Sequence, residues 1–370
     1  MRICYYFWVV LFIIMQSCSK KVEQNSTLPV STDETYGRIT LSPSKLLYYG
    51  FKLPYTMDAS WATLKNSDGT LTFFETAMGK SPYYFRHKGT FDNPLKTELE
   101  PFKWDYNGFD NINPSGCWLD NIYKISQDTL IGFIHREDLH WNGGNGSPYN
   151  SDYVYLGIAR SFDGGTNWKY LGDVIGTLGN LSTNQVYAPN LAGMPILNVG
   201  DYILVYFDEW DSQAHFRTGI SVGRAKLTDL IAAIKQDKIC AFKKYNNGSW
   251  DEDGLIGIGS NVIPDFKWDY DVHSDAAYCK PLNKYLLTVQ TYDNNRLYLY
   301  QSSDGINWGE QITLDYQSGA YQPYSCFAGF DSETSDDCNT VGSEFYIYMD
   351  RKFFNNDPEQ IYYRKVTITP

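Results

Sequence analysis

Six polar residues recur along this 370-residue chain at or near the head of apolar, strand-like runs: Asp58, Asp120, Asn190, His273, Asp275 and Gln322. The settings are alike, as in Cys117-Trp118-Leu119-Asp120 and His273-Ser274-Asp275-Ala276-Ala277. Carboxylates and an imidazole are the groups that give and take protons near neutral pH. Two carboxyl groups flanking one bond, one protonated and one ionised, are what hydrolysis of a glycosidic bond requires. Glu137, in Ile134-His135-Arg136-Glu137-Asp138, supplies a further carboxyl beside Arg136 at the end of another apolar run. Arg136 and Glu137 either serve a site or pair with each other. Trp61 and Trp118 stand beside two of the openings, where an indole either packs the core or offers a flat apolar face to a sugar ring. One such Asp alone reads as a strand-end cap. Polar residues at all of the openings point to a shared mouth.

The elements that must carry these residues are read from turns. Ser161-Phe162-Asp163-Gly164-Gly165-Thr166-Asn167-Trp168 returns as Ser302-Ser303-Asp304-Gly305-Ile306-Asn307-Trp308. Each copy stands between alternating apolar runs. Asp-Gly there predicts a hairpin, because Gly accepts positive φ and the Asp side chain can bond the turn backbone. The following Trp is expected to pack over its own turn. The pattern resembles the Asp-box, Ser-x-Asp-x-Gly-x-x-Trp, of sialidase-like and related β-propellers, with the second copy one residue short. The resemblance implies a structural hairpin lying away from any active site.

Five units of three or four strand signals follow one another, opening at Asp58, Cys117, Tyr187, His273 and Gln322. That is the repeat of a propeller. The expected fold is all-β, one five-bladed β-propeller over residues 37–370. Gly37–Leu41 or Lys45–Phe51 would close the ring by pairing with the last unit. One short helix, Leu227–Gln236 with Thr228 as N-cap, would decorate the third blade. Asp208, Glu209 and Asp211 read as a solvated loop.

These openings resemble those of the five-bladed glycoside hydrolases, the arabinanase and β-xylosidase superfamily with its invertase and levansucrase relatives. The resemblance implies that Asp58 is base or nucleophile and that Asp120 tunes or orients. It also implies a Glu opening the third blade as acid, where this chain has Asn190. Relatives that degrade agar-derived oligosaccharides use a His as the proposed acid, so the acid is either Glu137 or His273. Trp61, Trp118, Arg136, Asn190, Asp275 and Gln322 would hold the sugar. No cofactor is expected. Some relatives hold an axial Ca²⁺, which His273 and Asp275 could approach.

Composition narrows the partners. A formal charge of −12 disfavours a phosphate backbone, and 31 Tyr and 10 Trp suit half-buried strands and a sugar cleft. Arg2, the apolar run Ile3–Met15 and Gln16-Ser17-Cys18 read as a signal peptide rather than a membrane span. The Ser-Cys junction resembles a bacterial lipobox: residues 1–17 would be removed, Cys18 lipidated, and 18–36 would be a tether. The chain would be a monomer held at the cell envelope, in the outer membrane or periplasm, by its lipid alone. Cys326 and Cys338 could form a disulfide in such a compartment, with Cys117, Cys240 and Cys279 as buried apolar residues. Three functions stay open: a glycoside hydrolase acting on plant or algal saccharides, a sialidase-like enzyme, and a non-catalytic glycan-binding lipoprotein. The second needs three converging Arg and six blades. The third accounts for Asn190.

Overall fold

The computed structural model describes residues 32–50, 60–74, 85–98, 101–105, 117–139, 152–176, 191, 193–211, 216–267, 270–291, 296–316, 328–332, 339–351 and 359–370. Strands β1 (Glu34–Tyr36), β2 (Ile39–Leu41) and β3 (Lys45–Gly50) come first in the chain but belong to the last sheet. Blade 1 is β4 (Thr63–Lys65), β5 (Leu71–Phe74), β6 (Arg86–Thr90) and β7 (Asn93–Glu98). Blade 2 has β8 (Lys103–Asp105) at its outer edge, followed in the chain by β9 (Cys117–Lys124), β10 (Leu130–Leu139), β11 (Asp152–Ser161) and β12 (Asn167–Ile175). Blade 3 is β13 (Ile196–Val199), β14 (Tyr202–Asp211) and β15 (Phe216–Lys226), then helix α1 (Leu227–Ile234), β16 (Lys243–Asn246) and β17 (Ser249–Asp253). Blade 4 is β18 (Tyr270–Asp271), β19 (Ala276–Cys279), β20 (Lys284–Thr291), β21 (Arg296–Ser302) and β22 (Trp308–Tyr316). Blade 5 is β23 (Ala328–Ser332), β25 (Glu344–Asp350) and β26 (Glu359–Ile368), while β24 (Thr340–Val341) crosses to pair with β19.

The five sheets form one five-bladed propeller. Both N-terminal segments close it. Strand β2 pairs with the end of β26 at Ile39↔Ile368, and β3 pairs with its start at Lys45↔Tyr363. The core is divided in the same way as the chain. Each blade alternates side chains between its two faces, and each face meets a neighbouring blade. One apolar cluster fills each junction. Phe74 and Leu64 of blade 1 meet Leu119 and Trp168 of blade 2. Phe133 meets Val205 and Ile203 between blades 2 and 3. Tyr206 meets Val272 and Tyr300 between blades 3 and 4. Leu286 meets Phe345 and Ile347 between blades 4 and 5. Tyr348 and Ile361 of blade 5 meet Trp61 and Phe73 of blade 1, which completes the ring. Cys117 and Cys279 lie within these clusters and Cys240 packs against one. The Cys326–Cys338 pairing lies outside the described residues.

Helix α1 follows from its spacing. Leu227, Leu230, Ile231 and Ile234 fall on one face at helical intervals, and that face packs on the junction of blades 2 and 3. It starts at Leu227 as its composition suggests and ends at Ile234, but the N-cap is Lys226 rather than Thr228: Lys226 makes no side-chain cap bond, and Thr228 bonds Asp229 inside the first turn. Asp237, in the left-handed region at φ 56, closes the turn that follows. Arg160 and Lys169 of blade 2 then hold the Asp237 carboxylate. The reading of Asp208 and Glu209 as a solvated loop is corrected. Both are buried within β14, and Asp211 ends the same strand.

The two Asp-Gly turns join the third and fourth strands of blades 2 and 4. Asp163 Oδ1 accepts the N–H groups of Thr166 and Asn167 at 3.1 and 2.9 Å, and Ser161 Oγ accepts that of Gly165 at 2.9 Å. Trp168 Nε1 donates to Gly165 O at 3.1 Å, over its own turn. Asp304 repeats the pattern with Ile306 and Asn307 at 2.9 and 2.7 Å. There the neighbouring blade also enters: Tyr206 lies edge-on to Trp308 and its hydroxyl donates to Gly305 O at 2.5 Å. Burial alone would raise the Asp304 carboxyl, but the Asn307 and Ile306 N–H groups and the Ser302 hydroxyl bring it from about 3.8 down to about 2. A carboxylate depressed in the folded state contributes stability above its unfolded pKa that is lost as pH falls through the folded value. Asp304→Asn is therefore expected to cost about 1 kcal/mol at pH 7, after allowance for screening at an exposed site, and clearly less near pH 2. Urea titrations at both pH values check this; an equal cost at both would refute it.

Candidate active site at the axial mouth

In a propeller the innermost strands run in the same sense along the axis, and here the strands paired to β9, β13, β19 and β23 run antiparallel to them. One end of the ring is therefore where inner strands begin and second strands finish. The Asp-Gly turns lie at the other end, since third strands begin at the mouth and finish away from it.

Asp120 sits on the inner strand of blade 2 and is buried. On the paired strand Phe133 faces Asn121 and Ile134 faces Leu119, so Asp120 is the extra residue of a β-bulge. A bulge re-aims the side chain it carries. The strand is tied on both sides. Ser60 Oγ, at the head of blade 1, donates to Asp120 O at 3.0 Å. Asn121 Nδ2 donates to Met194 O, ahead of β13, at 3.0 Å. Gly193 has φ +77, and a Cβ on it would lie 2.0 Å from Val272 O. Only glycine lets the blade 3 segment pass this close to blade 4, one residue before His273.

His273 in turn meets blade 2. Its ring centroid is 5.5 Å from that of His135, although blade 3 stands between the two blades in the ring. Trp118, opposite His135 in the β9–β10 ladder, presents an edge at 5.1 Å and 90°. An indole and two imidazoles from non-adjacent blades thus converge on the axis. Sequence reading singled out Trp118 and His273 but missed His135, which stood beside Arg136 and Glu137.

Asp275 is buried and held by Thr288. Its N–H donates to Thr288 Oγ1 at 3.1 Å, and its carboxylate accepts the Ala276 N–H at 2.8 Å. Arg136 has another partner than Glu137: Nε and Nη2 each reach the Asp173 carboxylate at 2.8 Å, and Tyr170 donates to the same group. Arg136 thereby joins the second strand of blade 2 to the fourth. Trp61 lies in the junction of blades 5 and 1, 5.8 Å from both Phe73 and Tyr348. Asp58, Asn190, Gln322 and the Glu137 side chain lie outside the described residues, as do Cys18 and the tether before residue 32. Among the described residues, no three His, Cys, Asp or Glu side chains are grouped to hold a metal.

Blade 3 carries a buried ion pair at the same end. Lys244 Nζ lies 3.1 Å from Glu209 Oε1 and donates to Gly176 O at 2.7 Å and Gly257 O at 2.8 Å. Burial pushes the Glu209 carboxyl up against the pull of Lys244, and pushes the Lys244 amine down against the pull of Glu209. The pair pins the loop after β17 to blades 2 and 3.

No protein-family description matches this sequence, and no curated protein matches it. Solved structures do match. A family 117 glycoside hydrolase of the marine bacterium Zobellia galactanivorans is 10% identical, with a TM-score of 0.52 over 88% of this chain and 90% of that one. The catalytic domain of a Coprinopsis cinerea GH62 α-L-arabinofuranosidase is 10% identical, with a TM-score of 0.47 over 87% and 95%. A Penicillium chrysogenum α-L-arabinanase complexed with arabinobiose is 10% identical, with a TM-score of 0.46 over 87% and 98%. At such identity the first likeness shows a shared fold, the five-bladed propeller.

Proposed function

We propose that this chain is an exported glycoside hydrolase that cleaves a plant or algal saccharide in its axial mouth. The observation that carries the reading is the meeting of His135 and His273 across blade 3, with Trp118 perpendicular to the His135 ring. The bulged Asp120 stands on the strand that carries Trp118. The propeller likeness to a glycoside hydrolase accords with it.

Asp58 is the base, activating water or attacking directly. Asp120 orients the sugar or tunes the acid. The acid is Glu137 or His273. A carboxylic acid would need an upward shift to hold its proton at neutral pH, whereas an imidazole serves there unshifted. His135, wedged between Trp118 and His273, positions the second imidazole. Arg136 acts through Asp173 as a brace for this wall. Asn190, Asp275 and Gln322 would complete the sugar contacts, and the chemistry needs no cofactor. Asn190 at the third opening also fits a surface glycan-binding lipoprotein without catalysis. Incubation with plant, algal and host glycans separates the two: released sugar supports the enzyme, and binding without release supports the binder.

The reading places the chain at the bacterial cell envelope on a lipid anchor. Mass spectrometry of the membrane fraction should find a mature terminus at acylated Cys18, since stable anchoring needs more than one acyl chain. An intact Met1 terminus in that fraction would contradict it.

A further inference from the structure

Arg296 and Tyr316 stand opposite each other at the mouth end of blade 4. They are the last register pair of β21, which begins at the mouth, and β22, which finishes there. The Arg296 guanidinium lies over the Tyr316 ring, 5.2 Å from its centroid. Both residues are exposed, Tyr316 by 53%. Beneath them the pair is backed by buried rings. Arg296 Nη1 donates to the Tyr298 hydroxyl at 3.4 Å. The Tyr298 ring lies 6.0 Å from that of Tyr270, which stands on β18, three residues before His273.

Other arginines lie over rings, in a different setting. Arg136 over Tyr155, Arg160 over Phe162 and Arg351 over Tyr362 are each held by an aspartate: Asp173, Asp237 and Asp315. Arg296 is held by a ring and a phenol instead. A guanidinium carries five N–H donors in one plane. Tyr298 takes one, and the exposure of the side chain leaves others to water or a ligand. The half-exposed phenol beside it offers a flat apolar body, the surface that packs on the C–H face of a sugar ring. Stacking fixes the guanidinium before a ligand arrives, which lowers the ordering cost of binding.

Blade 4 runs outward from the axis in the order β19, β20, β21, β22. Three strand spacings place Tyr316 about 14 Å beyond the innermost strand. A disaccharide seated at His273 falls short of it, whereas a longer chain leaving the mouth over blade 4 meets it. We propose that Arg296 and Tyr316 form an outer sugar subsite on the rim of the mouth. The saccharide is then an extended chain, with one ring lying on Tyr316 and its hydroxyl oxygens accepting from Arg296. The inference rests on the axial mouth being the sugar site.

The test is calorimetric titration of the full chain with arabino- and galacto-oligosaccharides from disaccharide to octasaccharide, alongside release of sugar from each. Wild-type affinity should rise about tenfold over that series, the worth of one further subsite. Tyr316→Ala and Arg296→Ala should each weaken octasaccharide binding about tenfold, the scale of one stacked ring or one hydrogen bond to a charged group. Tyr316→Phe, which keeps the ring, should bind as the wild type does. The losses should fade on disaccharides, whose binding also shows the variants to be folded. Affinity that does not rise with length, or octasaccharide affinity kept in both alanine variants, would overturn the subsite and leave the mouth reading standing. An equal loss at every length would assign the pair to the fold and overturn the subsite likewise. A gain with length that the variants lose, with no sugar released at any length, would uphold the subsite and remove the catalytic reading. Binding at no length would overturn both.

Discussion

Asp120→Asn is expected to lower turnover about 10²- to 10⁴-fold, the usual scale of acid–base catalysis, while sugar affinity changes little. The substitution keeps shape and removes charge. The strand should not move, because what holds it is backbone and neighbour: Ser60 donates to the carbonyl of Asp120, not its carboxylate, and Asn121 holds the blade 3 segment. A loss confined to kcat therefore reports on the carboxylate itself. Asp58→Asn should match or exceed it, since the base is then gone. The pH profile divides the two candidate acids. If His273 gives the proton, His273→Gln abolishes the alkaline limb of the profile. If Glu137 does, that limb survives the histidine substitution. Full wild-type turnover in both aspartate variants would place the chemistry elsewhere.

Lys244→Met is expected to cost about 3–5 kcal/mol of stability, because it leaves Glu209 buried without its cation. The side chains of the pair are 0% and 1% exposed, so water offers no substitute partner. The loss reaches beyond blade 3. Lys244 also carries the carbonyls of Gly176 and Gly257, so the loop after β17 and the end of blade 2 lose their pin together. A domain stable by roughly 5–15 kcal/mol would keep its fold but unfold at markedly lower urea. The double variant Lys244→Met with Glu209→Gln should recover part of the loss, since no unpaired charge remains. Urea unfolding of the single and double variants measures both. A single variant as stable as the wild type would contradict the account.

What could be read from the sequence was what is local. The Ser161–Trp168 and Ser302–Trp308 turns bond within themselves over two to four residues, so their residue types declare them. The blades were legible because a strand's alternation is written in its own residues. Ring closure was half legible: Gly37–Leu41 and Lys45–Phe51 read as alternatives, yet β26 is long enough to pair with both strands. Asp208-Glu209-Trp210-Asp211 was misread because a polar run looks solvated when its partner is out of view. Lys244 stands 35 residues later, beyond a whole strand and the helix. The Asp120 bulge leaves no trace in composition. His135 was passed over because attention to where strands begin overlooks the second strands that end at the same mouth.

The central claim is that the axial mouth cleaves a sugar with Asp120 as part of its machinery. Its most direct measurement is the initial rate of reducing-sugar release by wild type and Asp120→Asn on plant and algal oligosaccharides, with binding measured in parallel. The account predicts release by the wild type, a variant slower by about 10²-fold or more, and similar affinity in both. A wild type that binds these sugars without ever releasing one, or a variant as fast as the wild type, would contradict it.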